Sequence, residues 1–217
     1  KGNESQVDSA TQTLVVPEGK LQRVAYLIPS NVSYVGLSYP NVAHATHEQQ
    51  GNWLIATRVL GLDYLWNEVR VKGGAYGVIF RNSIAGLQSF VSYRDPALDA
   101  TLDRYVGAGN WLSEWNPDAD EFEGYVVASV AGVDAPVPAR MLARRQDIEY
   151  FNHRDPERLL KLREKILHAQ VEDIKALGST MPQSYDDLSI VVFGAKDAIE
   201  ASKLGLEVVD LFGGQEN

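Results

Sequence analysis

The segment HEQQGNWLIATRVLGLDYLWNEVR, residues 47 to 70, constrains the fold more than any other. Trp53, Ala56, Leu60 and Tyr64 form one apolar stripe at helical spacing, and Leu54, Gly61, Leu65 and Val69 form a second beside it. Two adjacent stripes are too wide for a helix lying on a single partner. The spacing therefore predicts a helix buried on much of its circumference. The run ends on Arg70 and Lys72, meets Gly73-Gly74, and restarts as an apolar strand headed by Tyr76.

Other elements group around this helix. KLQRVAYLIPSNVSYVGLSYP (20–40) reads as strand, turn, strand, broken at Pro29-Ser30-Asn31. AYGVIFRNSIAGLQSFVSYRD reads as a hairpin with Asn82-Ser83 or Ala85-Gly86 at its turn. Asp95-Pro96, Asn116-Pro117 and Asp155-Pro156 each set a capping side chain before a proline, which predicts three helices with proline at the first helical position. The last of these is expected to run as one helix through ERLLKLREKILHAQVEDIKAL. A further short helix is expected in PVPARMLARRQDIEYFN, after the breaks at Pro136 and Pro138. The chain then gives strand, short helix and strand, with Gly194 and Gly205 at the joints. The expected fold is α/β of the α+β kind: a single domain, a largely antiparallel sheet and helices packed on one face. Residues 1–19 are expected to be a flexible lead-in and residues 20–217 the domain.

Composition narrows the function. The 217 residues carry a net charge of −9, which disfavours nucleic acid or an anionic membrane as the partner. No run approaches the length of an apolar membrane span. The absence of cysteine excludes disulfides, thiolate metal sites and cysteine nucleophiles. The first residue is Lys1, so the chain is expected to be trimmed, processed or part of something longer.

Most candidate chemistry fails on spacing. His44, His47 and Glu48 in HATHE stand in neither metallopeptidase order, His-Glu-x-x-His or His-x-x-Glu-His, and read as a polar loop before a helix. His153 and His168 read as surface residues. KGGAYG is no phosphate loop, because its lysine precedes the glycines, and Gly107-x-Gly109 fails the dinucleotide fingerprint. The basic residues between Arg140 and Lys165 alternate with acidic ones and read as a solvated helical face. Tyr105, Trp111 and Trp115 read as core. That leaves NEVRVKGGAYG. On spacing alone, Arg70 and Lys72 complement a helix C-terminus that glycine ends; a functional site is the second reading.

A resemblance shifts that balance. LWNEVRVKGGAYG, the hairpin ending FVSYRDP and the helix after it resemble the last domain of the pitrilysin/insulinase-like zinc metallopeptidases, in the presequence-protease branch. VAYLIPSNVSYVGLSYP resembles that domain's opening strands. The stretch from Gly124 to Leu167 resembles its helical middle, and SIVVFGAKDAIEAS its closing strand and helix. The likeness runs from about Lys20 to the C-terminus.

The resemblance implies a fourth α/β domain that closes a peptide-digesting chamber. Zinc is implied only in the first domain, on His-x-x-Glu-His and a distal glutamate. In this chain it implies that Arg70 and Tyr76 assist catalysis, and that Arg70, Gly73, Gly74 and Tyr76 meet the substrate backbone. The implied partners are the N-terminal catalytic half of the same protein and peptide substrates. Neither nucleic acid nor membrane is expected, and the expected compartment is the cytoplasm or an organelle matrix. His-x-x-Glu-His occurs nowhere in these residues, so no metal is expected here and the chain alone is expected to be inactive. A separate non-catalytic subunit, or a structural domain of the same fold, is the alternative. A reading frame continuing upstream of Lys1 into His-x-x-Glu-His would favour the first reading over these.

Overall fold

A computed structural model describes residues 20–41, 49–83 and 86–211. The proposed lead-in 1–19 and the HATHE segment 44–48, apart from its neighbours at 41 and 49, lie outside the described residues.

Alternating side chains build a six-stranded sheet. The strands are β1 (Arg23–Leu27), β2 (Ser33–Pro40), β3 (Gly77–Asn82), β4 (Leu87–Asp95), β5 (Ser189–Gly194) and β6 (Glu207–Asp210), in the order β3-β4-β2-β5-β1-β6. From β3 to β5 every neighbouring pair is antiparallel; β1 pairs with β5 and β6 in parallel. β1 and β2 follow each other in sequence, yet β5 lies between them. Val35, Leu37, Phe80, Phe90, Ile190 and Val192 point to the buried face, whereas Tyr34, Ile79, Val91, Tyr93 and Phe193 stand exposed on the other. Period-two alternation of this kind marks a sheet with one covered face. The expected fold class holds, with a parallel margin at the β1 edge.

The helices are α1 (Gln50–Val59), α2 (Leu98–Glu114), α3 (Ala119–Val133), α4 (Ala139–Phe151), α5 (Arg158–Leu167), α6 (Val171–Gly178) and α7 (Lys196–Glu200). α1 continues without a break into a π-helical segment, Leu60–Lys72. There the winding widens to i→i+5 bonds, and Leu60, Tyr64, Leu65 and Val69 remain on the buried side. Trp53, Ala56, Leu60 and Tyr64 are all buried, as the first stripe predicts. Phe80, Phe90 and Tyr105 tie the sheet to α2, with ring centroids 4.6 Å and 4.9 Å apart. Gly109 and Gly178 meet where α2 crosses α6, each backbone too close to the other to admit a Cβ.

Two expectations about helix ends are corrected. The prolines stand before the helices, not at their first position. Asp95 and Asp155 instead accept hydrogen bonds from the N–H groups of Ala97 and Glu157, each at 2.9 Å. This side-chain turn holds Pro96 and Pro156 outside the helix. Asp118, and not Asn116, caps α3 by accepting from the Glu121 N–H at 2.8 Å. The helix expected through 157–177 is two helices, because Gln170 and Asp173 form a capping box that starts α6 afresh.

The π-helical segment is tied to its neighbours through Asp63. Its carboxylate accepts from the Trp115 indole N–H at 3.2 Å and from the Tyr125 hydroxyl. Together with burial, that carboxylate pushes the Tyr125 hydroxyl pKa well above its ordinary value. Replacing Asp63 with alanine is expected to cost about 2–3 kcal/mol in urea unfolding, because the buried Trp115 and the half-buried Tyr125 lose their acceptor; Asp63→Asn, which keeps one acceptor, is expected to cost less.

Candidate functional site

Where the π-helical segment reverses into β3, the chain is held by a glycine-closed helix end. The Gly74 N–H donates to the Arg70 carbonyl at 3.0 Å and the Ala75 N–H to the Val69 carbonyl at 3.2 Å. Gly74 takes φ 82°, in the left-handed region. Gly73 lies so close to the Val69 carbonyl that a Cβ would stand 2.4 Å from the oxygen, and 2.8 Å from Nη1 of Arg104. Arg104, on α2, ties this corner down through its backbone carbonyl, which accepts from the Tyr64 hydroxyl at 2.7 Å. Burial above all, then Glu68, pushes the Tyr64 pKa up to about 12 against the opposing charge of Arg104. Tyr64 therefore stays a neutral donor across the physiological range.

This corner delivers two side chains, Arg70 half-buried and Tyr76 exposed, to one place. Ala75 is buried and anchors the turn, and Tyr76 immediately after it is 61% exposed. Tyr76 lies against Tyr93 of β4, ring centroids 5.4 Å apart. Gly77 makes room for that contact, since a Cβ there would stand 2.3 Å from the Tyr93 ring. Arg70 lies over the Trp66 ring one turn earlier, its guanidinium carbon 3.9 Å from the ring centroid. Trp66, Arg70 and Tyr76 line two adjoining open depressions. One continues to Val32, Gly74 and Arg94, the other to Gly77, Ile79 and Tyr93. Among the described residues no ion pair involves Arg70.

The structure thus brings Arg70, Gly74 and Tyr76 to one depression and sets Gly73 against Arg104 at the corner. Trp66, Tyr93 and Arg94 also belong to the site, and the sequence reading did not single them out. Trp66 stands four residues before Arg70, so its i, i+4 position was a usable signal. Arg94 reaches the site only through strand pairing.

Elsewhere the site candidates stay apart. Tyr105 and Trp115 are core residues. Lys161 pairs with Asp155 and Glu157, and Arg163 with Asp134, as a solvated helical face requires, whereas the Arg158–Glu149 pair is largely covered. His153 and His168 are exposed. Among the described residues no group of three or more His, Asp or Glu side chains is placed to hold a metal, and no helix is long and apolar enough to cross a membrane.

The corner makes a graded expectation. Gly73→Ala sets a methyl group against backbone and is expected to cost about 2–4 kcal/mol in urea unfolding. Gly77→Ala meets only a movable ring; it is expected to cost about 1 kcal/mol or less while displacing Tyr93 from Tyr76. Equal losses for the two would contradict the geometry.

Comparison with known proteins gives concordant matches. The model of the PreP C-terminal domain matches residues 23–195. Protein HypA of Clostridium perfringens is 32% identical over 177 residues, covering 82% of this chain and 18% of that protein. Presequence protease 1, chloroplastic/mitochondrial, of Arabidopsis thaliana is 28% identical over 192 residues, covering 87% of this chain and 18% of its own length. The chain thus spans about a fifth of the length of these relatives. Among solved structures, the peptidase M16 inactive domain from Pseudomonas fluorescens superposes with a TM-score of 0.63 at 15% identity, over 82% of this chain and 44% of that one. Pitrilysin does so with a TM-score of 0.61 at 12% identity, over 88% and 22%. At such identities the structural likeness shows the fold.

Proposed function

Because the chain belongs to the PreP C-terminal domain family, we propose that it is the non-zinc-binding domain of a peptide-degrading metalloendopeptidase, closing the chamber and holding the substrate backbone through Arg70 and Tyr76. One observation carries this reading: a tight corner delivers both donors, Tyr76 exposed and Arg70 half-buried, to the same depression. The Arg70 guanidinium lies over the Trp66 ring and meets no carboxylate among the described residues, so its N–H groups can donate to a carbonyl oxygen. The Tyr76 hydroxyl is a second donor. Two preorganised donors on one carbonyl polarise it and stabilise the charge that gathers on its oxygen as the carbonyl carbon becomes tetrahedral.

The sequence holds no His-x-x-Glu-His, and the described residues place no metal-binding group. On this reading zinc and the activation of water belong to the N-terminal half of the full-length protein, and this domain's share is positioning and charge stabilisation. The partners are that half and peptide substrates. The compartment is an organelle matrix or the cytoplasm; a relative named for chloroplasts and mitochondria supports the former.

In the full-length protein, Arg70→Ala and Tyr76→Phe are each expected to lower kcat by about 10²- to 10³-fold. Melting temperature should hardly move, since Tyr76 is exposed and Arg70 pairs with no carboxylate among the described residues. Peptide turnover unchanged in both variants would overturn the assignment.

A further inference from the structure

We infer that Arg94 turns the Arg70–Tyr76 depression into a subsite for a carboxylate of the bound peptide; the inference rests on the peptide-binding role proposed above. Arg94 lines that depression with Arg70 and Tyr76, its guanidinium carbon 5.9 Å from the Tyr76 ring centroid. No carboxylate lines the depression among the described residues, in a chain whose net charge is −9. The acidic neighbour in sequence, Asp95, is turned away. It is fully buried and accepts from the Ser92 hydroxyl at 2.6 Å and the Ala97 N–H at 2.9 Å. No ion pair among the described residues involves Arg94.

The backbone at Arg94 is the second observation. Ser33 pairs with Asp95 and Tyr34 with Tyr93, so Arg94 is the extra residue of a β-bulge. Its φ is 52°, a conformation that glycine adopts freely and other residues seldom do. Packing does not explain an arginine here, because the residue is exposed. Its carbonyl accepts from the Tyr76 N–H at 3.4 Å, so the bulge sets the guanidinium and Tyr76 side by side. Two guanidinium groups on one open surface suit a carboxylate, which accepts charge-assisted hydrogen bonds from either. The carboxylate is that of the peptide's C-terminus or of an acidic side chain.

The test uses the full-length protein and two pairs of matched peptides. One pair differs in a C-terminal carboxylate against an amide, the other in an interior Glu against Gln. In one pair the carboxylate-bearing peptide is expected to show a KM about tenfold lower. That pair identifies the source of the carboxylate. Arg94→Gly is expected to bring the two KM values within about twofold while melting at or above the wild-type temperature, and Arg94→Lys to keep part of the preference. A residue that merely positioned Tyr76 would instead lower kcat equally for both members of a pair. No preference in either pair, or a preference that survives Arg94→Gly, overturns the subsite. Arg70→Ala, run alongside, separates the two readings. If it turns over normally while Arg94→Gly loses the preference, the proposed role of Arg70 fails and the subsite stands. If Arg70→Ala is slow while Arg94→Gly keeps the preference, only the subsite fails. A full-length protein that cleaves neither pair overturns both.

Discussion

The approach of Gly73 to the Val69 carbonyl is the contact on which the site depends. It allows a widened helix to end within one residue and the chain to reverse directly into β3. A longer connection would free Tyr76 from the helix that carries Arg70. With Arg104 against Gly73 and the Tyr64 hydroxyl bonded to the Arg104 backbone, the corner is fastened to α2 as well as to the sheet. The tight backbone and the well-packed side chains thus lie under the site, and the groups on its surface are left free to meet a ligand.

That division explains how the residues of NEVRVKGGAYG share their work. Val69 and Ala75 are buried and hold the segment in the core. Gly73 and Gly77 are set by close approach, and Gly74 by its left-handed backbone. Arg70 and Tyr76 are what this scaffold presents, backed by Trp66 and Tyr93. Helix termination and the proposed function, which compete as readings of the sequence, are compatible here, because the way the helix ends decides where the two side chains go. Strain in such a place is common at sites that bind, and here it recurs at Arg94 across the depression.

The order of strands and helices was legible because it follows from periodicity and from glycine and proline punctuation, both local. The family likeness was legible in several stretches, most specifically LWNEVRVKGGAYG, and is confirmed over residues 23–195. Local signals also account for the misplaced helix starts: Asx-Pro precedes each helix closely and was read as its cap, but Asp95 and Asp155 spend their carboxylates on a turn before the helix. The break before α6 depends on glutamine as a cap, which composition does not advertise. The π winding was hidden because residues at 60, 64, 65 and 69 satisfy helical spacing nearly as well. Arg94 was out of reach for a different reason. Its bulge arises from the register between β2 and β4, strands distant in the chain, and no local pattern encodes it.

The central claim is that Arg70 and Tyr76 act together on one group of a bound peptide. A double-mutant cycle on kcat/KM in the full-length protein tests it most directly, with Arg70→Ala, Tyr76→Phe and the combination. If both donors serve the same carbonyl, the second substitution costs at least about tenfold less once the first has been made. Strictly multiplicative losses would mean that the two side chains act on separate groups, and would contradict the account.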